Sequence, residues 1–208
     1  MENFIFYLYE FLTSFIPFLI VLRLFHHIHK KQNLQISKFY DILMMLFACY
    51  LIGVYHFTGA GTIYEVITYQ LEIREDEINL IPFSNTIDVV AYLLNIVLLI
   101  PLGIFVPVLW TKASRLSAIA SIGFLFSVFI EITQLINIRH TDVDDVILNT
   151  FGAVIGFMIY KLCSHSLKQK IQQNSIPVTE LPICIFILFA GRFFLFHEIG
   201  LAKLLYSF

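Results

Sequence analysis

EITQLINIRHTDVDDVILNTFGAVIG, residues 131–156, joins two apolar runs across a short polar connector. The first run ends with Glu131 and Gln134. The connector places Arg139 and three aspartates, Asp142, Asp144 and Asp145, within seven residues. The second run then carries Asn149 and the pair Gly152 and Gly156. Each run is long enough for a helix, so the stretch reads as a helical hairpin with its polarity gathered at one end.

The rest of the chain decides the solvent around that hairpin. It has 208 residues, 59% of them hydrophobic and only 13% charged. Mean hydropathy is +0.83. A soluble domain carries about 25% charge, and one small core cannot hide this apolar excess, so the chain reads as an integral membrane protein. Net charge is −2, which gives no indication of a nucleic-acid partner. Cys49, Cys163 and Cys184 lie in or beside apolar runs without metal-ligand spacing, as small packing residues do. The first run follows Met-Glu-Asn without a basic segment or a small-residue cleavage site, and is expected to be a retained helix.

Working outward, six apolar segments stand at about 3–22, 39–57, 88–110, 116–137, 144–162 and 178–197, each near the ~20 residues of a spanning helix. The fold class is therefore all-α, a polytopic bundle of about six transmembrane helices. With the N-terminus outside, nine basic residues fall on inner connectors: Arg23, Lys30, Lys31, Lys38, Lys112, Arg115, Lys161, Lys168 and Lys170. Four fall outside: Arg74, Arg139, Arg192 and Lys203. The positive-inside bias then predicts both termini outside. The polar hairpin faces outside too, with the acidic connector 58–87. That connector suits a short interfacial helix or a strand, and Pro82 fixes a turn where it rejoins the membrane.

Ser127, Glu131 and Gln134 follow i, i+4, i+7 and share one helix stripe. An ionised glutamate about two turns inside a span costs ~3 kcal/mol against lipid, so it should face protein or water. Packing hydrogen bonds within membranes average only ~0.6 kcal/mol, a small return for a carboxylate. Asp142, Asp145 and Asn149 form a second stripe. Thr141 or Asp142 can cap the following helix, with Asp144 or Asp145 in its first turn. Capping uses one or two aspartates and leaves the rest, with Arg139, available to a ligand. The third segment supplies a neighbour: Asn95 in its outer half, and Pro101 with Gly103 interrupting it. The spacing of Gly152 and Gly156 suits close helix contact. Asn95, Glu131, Gln134, Arg139, Asp142, Asp145 and Asn149 are thus expected in one outward-facing site. Of the remaining polar residues, His26, His27 and His29 are expected at lipid headgroups. Glu10, His56, Arg192 and Glu198 lie near outer helix ends. The chain has no phosphate loop, no H-E-x-x-H and no serine nucleophile in a recognisable setting.

These residues resemble the VanZ family of bacterial membrane proteins. The resemblance rests on Asn79-Leu80-Ile81-Pro82-Phe83, Asn95, Pro101-Leu102-Gly103 and Pro107. It continues through Glu131, Gln134, Arg139, Asp142-Val143-Asp144-Asp145, Asn149 and Gly152. It covers about residues 40–163, and a leucine stands at 99 where a phenylalanine is expected. The chain then divides into an N-terminal helix with its basic connector (1–38), a VanZ-like core of four helices (39–163) and a C-terminal connector and helix (164–208). The resemblance implies a multi-pass protein of the bacterial plasma membrane, in a family named for teicoplanin resistance, and no settled activity.

Two functional classes follow. The preferred one is a factor without assigned catalysis that lowers susceptibility to glycopeptides by holding a cell-wall lipid precursor or a lipidated antibiotic in a polar cleft. Arg139 would meet phosphate or carboxylate there. The alternative is an intramembrane enzyme acting on a lipid-linked substrate. In it Glu131, Asp142 and Asp145 would hold Mg²⁺ or Ca²⁺, although no cofactor is known. A transporter is a weaker third class, since no repeated halves with matched broken helices are visible.

Overall fold

The computed structural model describes residues 2–34, 36–69, 78–84, 88–135, 140–171 and 176–206. In chain order its elements are α1 (Glu2–Lys31), α2 (Lys38–Thr58), the short α3 (Ile63–Tyr69), β1 (Ile78–Asn79) and α4 (Val89–Leu109). A 3-10 turn, Thr111–Ala113, leads to α5 (Leu116–Leu135) and β2 (Thr141–Asp142). The chain closes with α6 (Val143–Ile171), α7 (Glu180–Leu195) and α8 (Glu198–Tyr206). The all-α polytopic bundle read from the sequence is what forms. Among the described residues its strands are a two-residue parallel bridge, Ile78 opposite Thr141 and Asn79 opposite Asp142.

Five helices among the described residues are long and apolar enough to cross a membrane: Phe4–Lys31, Lys38–Thr68, Val89–Leu109, Leu116–Leu135 and Val143–Cys163. The sixth expected span forms α7 with only 16 residues. At 1.5 Å per residue it is ~24 Å long, short of a ~30 Å hydrocarbon core. It nevertheless runs antiparallel along α1. Its first residue, Glu180, meets His29, and the Leu195 carbonyl near its end accepts from the Tyr9 hydroxyl at 2.7 Å.

Polar contacts at the helix ends fix an up-and-down arrangement. At one end the last turn of α1 meets the first turns of α2 and α7, through His29, Tyr40 and Glu180. At the other end the start of α1 meets the end of α2 through Glu10 and His56, at 2.8 Å. The Gln134 amide in α5 reaches the Thr58 carbonyl of α2 at 3.0 Å, so the end of α5 lies there as well. Helices α4 and α6 run parallel to each other, with α5 returning between them. Lys30, Lys31, Lys38, Lys112, Arg115 and Lys161 thus gather at a basic end. The aspartates of α6 gather at the opposite, acidic end. Of the three histidines after the first run, His29 behaves differently from expectation. α1 continues through them to Lys31, and His29 is buried at 1% exposure instead of sitting among headgroups.

The tightest contact in the bundle is α4 against α6. A Cβ added at Gly152 would lie 2.0 Å from the Ile96 carbonyl oxygen, and one at Gly156 equally close to that of Ile100. From the other side a Cβ on Gly103 would strike the Ala153 carbonyl at 2.0 Å. Small residues let the two backbones touch, as packing in lipid requires where no hydrophobic effect drives helices together. Pro101 does not break α4, which is one continuous helix. One turn before it the Leu98 carbonyl accepts from the Tyr50 hydroxyl at 2.9 Å, so a neighbouring helix supports the backbone around the proline. Leu93, Leu94, Val97 and Leu125 stay exposed, as lipid-facing residues do. Phe47, Leu51, Leu99, Leu102 and Trp110 are buried between α2, α4 and the turn after α4.

Glycine replacements separate contact from propensity. Gly152→Ala and Gly156→Ala should each destabilise the protein by about 1–3 kcal/mol through overpacking. Gly53→Ala, which meets nothing within 4 Å, should be neutral or stabilising. Thermal unfolding of the three variants in detergent checks this, and equal losses at all three positions would contradict it.

Candidate functional site at the acidic end

The site is assembled by the joint between α5 and α6. α5 carries Ser127 and Glu131 on one stripe, both buried, with Glu131 4% exposed. Beyond it, β2 turns back so that the Asp142 amide donates to Glu131 Oε2 at 3.2 Å. The Thr141 hydroxyl donates to the Glu131 carbonyl at 3.3 Å. Asp142 then caps α6: its Oδ1 accepts the Asp144 amide at 2.9 Å. Its Oδ2 accepts from Asn79 Nδ2 at 3.1 Å, the side-chain counterpart of the β1–β2 bridge.

Asp144 is the most deeply buried of the three aspartates, at 1% exposure. One oxygen accepts the Phe83 amide at 2.8 Å and the other the Tyr92 hydroxyl at 2.5 Å. It thus ties the turn after β1, and the start of α4, to the start of α6. Phe83 has φ 56, left-handed for a non-glycine residue, within the turn that contains Pro82. Asn95, one turn beyond Tyr92 on α4, donates to Asp145 Oδ1. Asn149 is buried and donates to Ser127 Oγ at 3.0 Å, which in turn faces the Asp145 carbonyl at 3.5 Å.

The sequence-predicted residues divide accordingly. Asn95, Glu131, Asp142, Asp145 and Asn149 are drawn into one cluster between α4, α5 and α6. Gln134 turns aside, toward the Thr58 carbonyl of α2. Arg139 lies outside the described residues. Asn79, Tyr92, Ser127 and Asp144 join the cluster without having been singled out as ligand-binding residues. The available signals were the i, i+3 spacing of Tyr92 and Asn95 and the polar residue that opens Asn79–Phe83. Asp142, Asp145 and Asn95 are half-buried and Glu131 lies behind them, so acidity is graded from rim to interior. Such an arrangement suits a ligand that brings hydrogen-bond donors or a cationic group to the rim. Among the described residues no group of three or more His, Cys, Asp or Glu side chains could hold a metal ion.

A second polar knot lies at the same end. Arg192 of α7 is 8% exposed, pairs with Glu10 of α1, and donates through Nε to the Ala60 carbonyl at 2.8 Å. His56 Nδ1 meets the other Glu10 oxygen at 2.8 Å. Arg192 is therefore an internal clamp, not a side chain snorkelling to the interface. Glu10, His56 and Arg192 form a centre of their own, separate from the aspartates.

The profile of the VanZ/LLP1 family matches residues 42–164. The chain is 30% identical over 128 residues to Protein VanZ of Enterococcus faecium, an overlap that covers 62% of this chain and 77% of that protein. No solved structure matches the chain significantly. The matched span holds the whole carboxylate cluster and leaves out Glu10 and Arg192.

Asp144→Asn replaces an acceptor by a donor opposite either the Phe83 amide or the Tyr92 hydroxyl. It should cost about 1–3 kcal/mol, the penalty for a buried group left unpaired. Combining it with Tyr92→Phe should cost less than the two single effects added together. Melting in detergent of both single variants and the double variant measures the coupling, and strict additivity would show that the contact is energetically idle.

Proposed function

The chain belongs to the VanZ/LLP1 family, and from that premise we propose that it is a bacterial plasma-membrane protein that lowers susceptibility to glycopeptide antibiotics, teicoplanin above all. It does so by holding a lipidated ligand, either a cell-wall lipid precursor or the antibiotic, at the acidic end of the bundle. The observation that carries this reading is the half-buried pair Asp142 and Asp145 backed by the buried Glu131. Three carboxylates near one another in an apolar bundle cost more than packing returns, unless a ligand's donors or cationic groups also meet them. Beside the cluster, Leu93, Leu94 and Val97 of α4 form an exposed apolar strip that an acyl chain can follow.

The acidic end faces outward in this reading. Its support is the basic end opposite, where the positive-inside rule places the cytoplasm. In a cysteine-free background, a cysteine replacing His140 should react with an impermeant maleimide in intact cells, and one replacing Lys112 should stay unlabelled until the cells are opened. The reverse pattern would turn the site inward and end the proposal.

Carboxylate charge is the second point of test. Glu131→Gln keeps an oxygen for the Asp142 amide and should cost ~1 kcal/mol or less; Asp142→Asn keeps one for the Asp144 amide but sets its NH2 opposite Asn79 Nδ2, at a cost of about 1–3 kcal/mol, and both folds should persist. Glu131→Gln, Asp142→Asn and Asp145→Asn should reach the membrane at near-parental levels and no longer protect a host against teicoplanin. Immunoblots of membranes paired with growth-inhibition assays measure both quantities. Full protection by all three variants would make the carboxylates purely structural.

A further inference from the structure

α5 and α7 meet near mid-bundle, where the rings of Phe129 and Phe189 cross edge to face at 5.0 Å. Between the first turns of α7 and the middle of α5 the two helices flank an open-sided cavity of about 610 Å³. It is lined by Ile122, Leu125 and Phe129 on one side and by Leu181, Ile185 and Phe186 on the other. Among the described residues Thr179 is the one polar residue in its lining. Leu125 and Phe186 are exposed and stand at its mouth.

The gap is held open from behind. Buried Glu180, at the start of α7, is bound to His29 and to the Tyr40 hydroxyl, at 2.9 Å from the latter. Arg192, near the end of α7, is bound to Glu10 and to the Ala60 carbonyl. Both attachments pull α7 toward α1 and α2 and away from α5. Moving α7 to close the cavity would break one or the other and strand a buried charge. Apolar walls give water no partners, so the occupant must be hydrocarbon.

Charge at the mouth selects which hydrocarbon. Arg115 immediately precedes α5, where its carbonyl accepts the Ile119 amide at 3.0 Å, and at 1.5 Å per residue it stands ~10 Å below Ile122, toward the basic end. Arg115 and nearby Lys112 are both exposed. The N-termini of α5 and α7 lie at this end and add positive dipole potential. The one acidic group in the first turn of α7, Glu180, is turned inward to His29 and Tyr40, so it does not oppose an anion.

We propose that the α5–α7 cavity binds an acyl chain of an anionic phospholipid from the leaflet at the basic end, with Arg115 and Lys112 receiving its phosphate. The site lies on the face of α5 turned away from the carboxylate cluster and does not depend on the reading given to that cluster.

The test uses the full chain in phosphatidylcholine nanodiscs. These carry a trace of either phosphatidylglycerol or phosphatidylcholine with a diazirine on one acyl chain. After illumination, crosslinks are mapped by mass spectrometry. The phosphatidylglycerol reagent should label residues 122–129 and 181–186 in excess over the phosphatidylcholine reagent. The double variant Arg115→Gln, Lys112→Gln should lose that excess. Ile122→Trp, which fills the cavity, should lose labelling of both segments by both reagents while labelling at Leu93 and Val97 persists. Equal labelling by the two reagents in the parent overturns the proposal. So does labelling of the two segments no denser than at Leu93 and Val97, or its survival in Ile122→Trp. If Ile122→Trp fails to fold, as judged by gel filtration, the parent and the charge variant still decide the question.

Discussion

Backbone contact between α4 and α6 sets the register on which the site depends. With glycine at 152 and 156, the α6 backbone rests against the carbonyls of Ile96 and Ile100. Two parallel helices held that closely can slide only by whole steps of their small residues. One register places Tyr92 opposite Asp144 and Asn95 opposite Asp145. A larger residue at either glycine would separate the helices by more than a hydrogen bond's tolerance, and both pairs would part together. Side chains that look like independent polar choices are thus tied to the absence of a Cβ two turns away.

The helices outside the family-matched region are attached by a different kind of force. α1 and α7 are joined to each other, and to α2, by polar and ionisable groups at both ends, most of them buried: His29, Tyr40 and Glu180 at the basic end, Glu10, His56 and Arg192 at the acidic end. Breaking a buried pair leaves an uncompensated charge and costs more than the pair contributes over a hydrophobic alternative. Such contacts specify position more than they stabilise. They explain how a 16-residue helix, short for the bilayer, keeps a defined place beside a 30-residue one.

Much of this was legible in the sequence because the bilayer enforces simple rules. Apolar length gave the helices, the glycine spacing gave the close contact, and the cost of a buried carboxylate pointed inward from Glu131 to Asn149. What was not legible depended on contacts far apart in the chain. Asp144 looked like one of several first-turn acids, and only the return of residues 78–83 to α6 shows it as a junction for three segments. Gln134 shares a stripe with Glu131, yet the stripe drifts enough over three residues to meet α2 instead of α6. His29 stands directly before Lys30 and Lys31, a setting that suggests headgroups, but its partner, Glu180, lies 151 residues away. Length erred for the sixth segment, where an apolar run of ~20 residues holds a shorter helix.

The parallel pairing of α4 with α6 also bears on biogenesis. α4 is synthesised first and must wait in the lipid while α5 is made, with Asn95 and Tyr92 lacking the aspartates they will bind. It is suited to that interval: its mean hydropathy, 2.6, is the highest of the five spans. A single asparagine is tolerable in so apolar a segment. α6 follows, with Asp142 as its cap and Asp144 and Asp145 in its first turn, acids that would insert poorly alone, and it meets donors already in place on α4. The polar cost of the site is therefore deferred to the last moment of core assembly. An interruption of synthesis before residue 145 would leave a hairpin that the membrane accepts but that has not yet acquired its acidic centre.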